Sequence, residues 1–311
     1  PANTVVVYTM LLGKDSALLI SKIGQEDFGE FLISKLKEKN VSTKGIIKDP
    51  NSKTSRVIIN AKEPDVSKAI RDADTHLTYE EVKRIDTNIQ LEKYLFYTSG
   101  VFSVEEGESR KTILTVLKEA RRKNQIILID PNFRGIARFK GINKEKSKSF
   151  LKKYFGLADI IKPSYDDAKF CIEGILGKKV DTKDPFKIIK EFYRLCEDSL
   201  ILYTNGKKGT ILYDGLNFYS IPTEVKEIEN STGSGDAFKA GFLSYLQEFV
   251  LEKENIEFRD ILNAVAFGNL IGGHVAQQSG AWPDNIPDKK LLQKKAKNLV
   301  EKIKVKKNNL K

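Results

Sequence analysis

The residues best suited to chemistry lie in "IENSTGSGDAFKAGF", residues 228–242, where two glycines, hydroxyl side chains and one acid precede a helical pattern. Gly233 and Gly235 permit backbone angles that other residues resist. Thr232 and Ser234 can cap a helix that begins near Asp236. The backbone N–H groups of such a first turn have no partner within the helix, and an anion such as phosphate is their natural guest. The turn is not a P-loop, since no GxxxxGK[ST] occurs in the chain, nor a dinucleotide fingerprint, since Phe238 holds the third glycine position. Asp236 is the informative residue. A carboxylate beside an anion cradle repels the anion, but it makes sense where a hydroxyl loses its proton while attacking a phosphoryl group. The competing reading is an acid complementing the helix dipole, which is common in helices generally.

A turn of this kind needs a scaffold, and the flanking chain alternates short β-rich apolar runs with amphipathic ones. "SALLISKIG", "YLFYTSG", "QIILIDPN", "ADIIKPS" and "SLILYTNG" read as strands, and 27–39, 106–123, 145–155, 184–197, 236–250, 258–276 and 288–303 read as helices. That alternation predicts an α/β fold with a mostly parallel sheet flanked by helices on both faces. Ligands then sit at strand carboxyl ends, where Gly100, Asp130, Asn132 and Gly206 fall. Ala237, Ala240 and Gly241 leave room for close helix packing. Residues 41–75 lack helical periodicity, carry β-branched runs and contain Asp-Pro-Asn and Glu-Pro turn signals. They read as a small β lid, or else as edge strands without a gating role, set against a core of 1–40 and 76–311.

Composition excludes several classes. With 311 residues, 40% hydrophobic and 31% charged, the chain reads as a globular protein, and no apolar run approaches a membrane span. Cys171 and Cys196 form no CxxC pair and two histidines are scattered, which suits a reducing cytoplasm and argues against zinc. The net charge of +11 is spread along the chain, and its densest run carries Leu292, Ala296, Leu299 and Ile303 at helical spacing. It reads as an amphipathic helix with a solvated face and not as a nucleic-acid patch.

"NSTGSGDAFKAGF" resembles the C-terminal signature of the ribokinase, or PfkB, family of carbohydrate kinases, usually DTxGAGDxF. The resemblance spans nearly the whole chain. "PAN" at 1–3 matches the end of a GGxPAN element, "LISKIGQEDFGEFLISKLKEKNV" resembles the following strand and helix, and "SGAWPDNIP" resembles the segment after the last core helix. It implies a ribokinase-like fold and an ATP- and Mg²⁺-dependent kinase acting on a small sugar or sugar acid. Asp236 would be the catalytic base, and the amides of Gly233, Ser234, Gly235 and Asp236 the anion hole. Asn3 would contact sugar hydroxyls. Thr232 would lie with the glycine turn near the nucleotide, as would Asn205 and Gly206 of "TNGKKG", matching TLGxxG. Asn269 would lie near adenine or else serve helix packing.

"DPNFR" at 130–134 resembles the DxNxR element of fructokinases and 2-keto-3-deoxygluconate kinases, with Arg134 offering a planar fork for phosphate or a substrate carboxylate. The chain departs from the family pattern at three places. Asn230 stands where the signature has Asp, as in the phosphosugar kinase branch, so a tagatose-6-phosphate or fructose-1-phosphate kinase remains an alternative. The NxxE element tied to Mg²⁺ appears as Ser164 to Asp167, leaving Asp167 as the metal candidate, through an intervening water. The family's first strand and paired glycines would precede Pro1. A catalytically weak regulatory relative is a further alternative, and Val57, Ile58 and Ile59 of the lid permit a homodimer.

Overall fold

Alternating burial along the strands dictates the architecture. Leu128, Leu202 and Leu212 enter one apolar cluster, while Ile127, Ile129, Ile201 and Ile211 enter a second on the opposite face. Strands buried on both faces require helices on both. A computed structural model of the chain describes residues 1–58, 68–86, 95–99, 107–132, 144–225, 227–249 and 257–308. Gly100, Arg134 and Ile59 lie outside the described residues, as do the side chains of Val57 and Ile58.

In chain order the helices are α1 (Ala2–Leu12), α2 (Asp27–Glu38), α3 (Tyr79–Asp86), α4 (Glu108–Arg122), α5 (Lys144–Phe155), α6 (Tyr165–Ile175), α7 (Pro185–Tyr193), α8 (Ser234–Phe249), α9 (Phe258–Ala276) and α10 (Lys289–Val300). The strands are β1 (Ser21–Gly24), β2 (Ile46–Asp49), β3 (Arg56–Ile58), β4 (Lys68–Ile70), β5 (Leu95–Ser99), β6 (Ile126–Asp130), β7 (Ile160–Ile161), β8 (Leu200–Thr204), β9 (Thr210–Tyr213), β10 (Asn217–Ile221) and β11 (Lys304–Lys307). A seven-stranded sheet runs in the order β11-β10-β9-β8-β7-β6-β5. Its strands β5 to β8 are parallel, as the strand–helix alternation predicts, and β9, β10 and β11 extend it antiparallel. β9 and β10 need only short turns, one through Asn205–Gly209 and one through Asp214–Asn217, so no crossover helix announces them, whereas β11 follows α10. One apolar cluster lies under α1, α8, α9 and α10, the other under α4 to α7. The fold is α/β, with helices on both faces of the central sheet.

Two local results were not legible in advance. Residues 2–12 form a helix although they contain Val5, Val6 and Val7. The weak helix propensity of β-branched residues is worth only tenths of a kcal/mol each, and burial of Val7, Tyr8 and Leu11 against α8, and of Val5 and Val6 against Leu19, Leu36 and Val41, outweighs it. "SALLISKIG" yields only the short strand β1, which pairs in parallel with β2 and not with the seven-stranded sheet. β3 and β4 form a separate antiparallel pair. The terminal basic run folds as an amphipathic helix, with Leu292, Ala296 and Leu299 of α10 buried beneath an Asp288 cap, but the helix ends at Val300 and Ile303 lies beyond it. Among the described residues no helix is long and apolar enough to cross a membrane. Cys171 and Cys196 are buried free thiols, and burial pushes both above the usual thiol range.

Candidate active site

Close packing of α8 on α9 fixes the glycine turn. A Cβ at Gly241 would lie 2.9 Å from the Ile271 side chain, and one at Gly272 would lie 2.9 Å from the Ser234 carbonyl. The mouth of α8 is thereby held against a rigid helix. Within the turn, the Asn230 side-chain oxygen accepts from the Thr232 amide at 2.8 Å, and Ser234 Oγ donates to the Ser231 carbonyl at 2.8 Å. Asn230 therefore supplies the acceptor that an aspartate would, without its charge. Helical bonding begins with the Ala237 amide donating to Gly233 O at 2.8 Å. Among the described residues the Gly235 and Asp236 amides have no backbone acceptor, the condition an anion site requires.

Gly233 has φ of 81°, and a Cβ there would fall 2.1 Å from the Ala281 carbonyl oxygen. Gly177 shares the sign of φ, at 67°, but a Cβ there meets open space. Gly233→Ala should therefore lose about 3 kcal/mol, from left-handed strain plus overpacking, seen in thermal melting as a fall of roughly 5 °C. Gly177→Ala should show the strain contribution alone. Equal shifts in the two variants would mean that the turn is not clamped against Ala281.

Asp236 is the centre of the site. The Asn3 amide donates to its Oδ2 at 3.1 Å and the Thr4 hydroxyl to its Oδ1 at 3.2 Å, both from the first turn of α1. Lys239, one helical turn along α8, places Nζ 2.8 Å from Oδ1. The same ammonium donates to Asp130 Oδ2 at the end of β6 and sits 5.3 Å from the centre of the Tyr97 ring. Lys239 is 1% exposed and Asp130 2%. Burial by itself would raise the Asp236 carboxyl, but the Lys239 charge and the hydrogen bonds from Lys239 and Asn3 outweigh it. The carboxyl is held well below the usual range. Lys239 likewise stays protonated: burial disfavours its charge, but Asp130 above all pushes it well above the ordinary lysine value.

Beside this cluster opens a cavity of about 300 Å³, of a size suited to a small cofactor. Ser234 and Gly235 form one wall, Asn205 and Gly206 another, and Gly272 with Ala276 a third. Lys162, Asp166 and Lys207 supply its charged lining.

The sequence-predicted residues thus divide. Asn3, Ser234, Gly235 and Asp236 converge, and Asn205 and Gly206 line the adjoining cavity. Gly233 and Thr232 shape the turn. Asn269 borders the cavity, yet its amide is fully engaged: Oδ1 accepts from Thr210 at 2.6 Å, and Nδ2 donates to Ile221 O and Pro222 O at 3.1 Å each. Asp167 is buried in a reciprocal cap with Ser164, whose Oγ lies 2.5 Å from Asp167 Oδ2, and its neighbour Asp166 is the acid that lines the cavity. Thr4, Lys239 and Lys162 were not singled out from sequence. A lone charge inside the apolar stripe of α8, and a lysine directly after the strand run "ADII", were the available signals.

The model of the pfkB family carbohydrate kinase matches residues 1–289. An ATP-dependent 6-phosphofructokinase of Thermoanaerobacterium thermosaccharolyticum is 30% identical over 258 residues, covering 83% of this chain and 74% of that protein. An uncharacterized sugar kinase of Pyrococcus horikoshii, solved in complex with ATP, is 28% identical with a TM-score of 0.73, covering 96% of this chain and 89% of that one. A fructokinase of Vibrio cholerae, solved with fructose, ADP and calcium ion, superposes with a TM-score of 0.76 at 21% identity, covering 95% and 90% of the two chains.

Proposed function

The chain belongs to the pfkB family of carbohydrate kinases, and from that premise we propose that it transfers the terminal phosphoryl group of ATP to a hydroxymethyl group of a small sugar or sugar acid. The observation that carries this reading is the Asn3–Asp236 pair beside a cavity walled in part by Ser234 and Gly235 of the glycine turn. Asp236 orients the acceptor hydroxyl and takes its proton as the oxygen attacks, while the Gly233–Asp236 amides stabilise charge on the transferring group. Its low basicity suits a loose transition state, in which the hydroxyl keeps its proton until late. Asn3 fixes the carboxylate and offers its remaining polar atom to the sugar. Asn205, Gly206, Thr232 and the backbone near Asn269 border the nucleotide.

Mg²⁺ is usually held by one or two carboxylates together with substrate phosphates. Asp166, facing the cavity, fits that mode, whereas Asp167 is engaged in its cap. Bound there, the ion would neutralise phosphate charge. Residues 41–75 would cover the acceptor as a lid, and Arg134 would hold an acceptor carboxylate if one is present.

Fructose-like ketohexoses and 2-keto-3-deoxygluconate are the preferred acceptors. Asn230 and the 6-phosphofructokinase relative favour a second reading, in which the acceptor already carries a phosphate. A coupled ADP-release assay over ketohexoses, sugar acids and sugar phosphates should show acceptor-dependent turnover with one class. Nucleotide and sugar binding without turnover on any acceptor would instead indicate a regulatory relative.

A further inference from the structure

Lys162 follows β7 and is the charged residue that links the cavity to the buried cluster behind Asp236. It is 4% exposed and lines the cavity, and a Cβ placed on Gly235 would lie 3.2 Å from its Nζ. The ammonium therefore stands directly in front of the glycine turn. Its neutralisation is incomplete. Among the described residues its counter-ion is Asp130 Oδ1 at 4.0 Å, beyond hydrogen-bond reach, and that oxygen has no hydrogen-bond partner. The other Asp130 oxygen is taken by Lys239. Burial accordingly lowers the proton affinity of Lys162, with Asp130 opposing it. A buried ammonium this weakly paired is stabilised by any anion that enters beside it.

We propose that Lys162 is a catalytic residue that contacts the terminal phosphoryl group of the nucleotide and stays with it during transfer. The proposal rests on the kinase reading given above. The bond between the terminal phosphorus and its bridging oxygen breaks and leaves ADP. A bond from the acceptor oxygen to that phosphorus forms, and the hydroxyl proton passes to Asp236. Lys162 keeps its protons throughout and balances the charge on the non-bridging oxygens beside the Gly235 and Asp236 amides. Its position between the cavity and Asp130 sets it at the acceptor end of the nucleotide, so ADP should scarcely sense it.

The test compares Lys162→Met, Lys162→Gln and Lys162→Arg in the full chain, each checked for a native melting transition. Turnover should fall by about 10² to 10³ in the Met and Gln variants, as for other lost transition-state donors, and recover in part with Arg. Calorimetric binding should show the non-hydrolysable analogue AMP-PNP weakened about tenfold, and ADP by less than about threefold, because one charge-assisted contact is lost. Unchanged turnover, or equal weakening of both nucleotides, would overturn the assignment. A wild-type chain that binds neither nucleotide would overturn the kinase reading with it. One that turns over normally while the variants show no difference between the nucleotides would overturn this inference alone.

Discussion

Asp236→Asn should lower turnover by about 10² or more, equivalent to roughly 2.7 kcal/mol of transition-state stabilisation. The substitution keeps the shape of the side chain and one oxygen for Thr4 and Lys239, so α8 should remain seated. It removes the lone pair that takes the hydroxyl proton, and it turns an amide N–H toward Asn3, whose own amide can flip to accept it. Nucleotide affinity should stay within about threefold, since the amides of the turn are untouched and no charge-assisted nucleotide contact is removed. The measurement is turnover with the best acceptor from the panel, together with ADP binding. Turnover equal to wild type would remove Asp236 from the role of base. Loss of ADP binding would point to collapse of the turn.

Lys239→Met should act on both stability and pH dependence. The ammonium bridges two carboxylates, so its removal leaves Asp130 and Asp236 facing one another with Lys162 as the nearest buried cation to Asp130. Breaking such a pair from one side typically costs about 3–5 kcal/mol, measurable as a lower denaturation midpoint. The groups facing Asp236 are Lys239 on its own helix, Asn3 and Thr4 on α1, and Asp130 through Lys239.

The sign follows from the depressed carboxyl of Asp236. Its folded-state value lies below the unfolded value of about 3.9, so its contribution to stability is present above that pH and lost as pH falls through the folded value. The acid limb of the wild-type rate profile contributed by Asp236 should accordingly lie below about pH 4. In Lys239→Met, burial is left largely unopposed, and that limb should move up into or above the ordinary carboxylate range. An unmoved limb, with only the stability changed, would make Lys239 a purely structural strut.

The site was legible where chemistry is written into consecutive residues. Gly233, Gly235 and Asp236 stand together because one turn needs them, and the motif around them carried the family resemblance. Gly206 was found because it ends an apolar strand run, where parallel sheets build sites, and Asn205 with it through the resemblance of "TNGKKG" to TLGxxG. Asn269 matched in position, but only the structure shows its amide bonded to Thr210, Ile221 and Pro222. Asp167 matched as an acid, and the structure turns it inward to cap α6 with Ser164. Lys239 looked like an interruption of the α8 stripe because its partner Asp130 lies 109 residues away.

The sequence by itself determined the alternation of strand and helix, the two-sided burial of the sheet, the glycine turn and the acid at its end. Each depends on local backbone preference or on a period of a few residues. Tertiary structure alone decided that Val5 to Val7 would be helical, that β1 would pair with β2, and that Asn3 would meet Asp236 across 233 residues. It also gathered Asp130, Lys162 and Lys239 behind the turn. Those outcomes depend on burial and on charges balanced in a dry interior, where the free energy of a residue is set by neighbours distant in the chain.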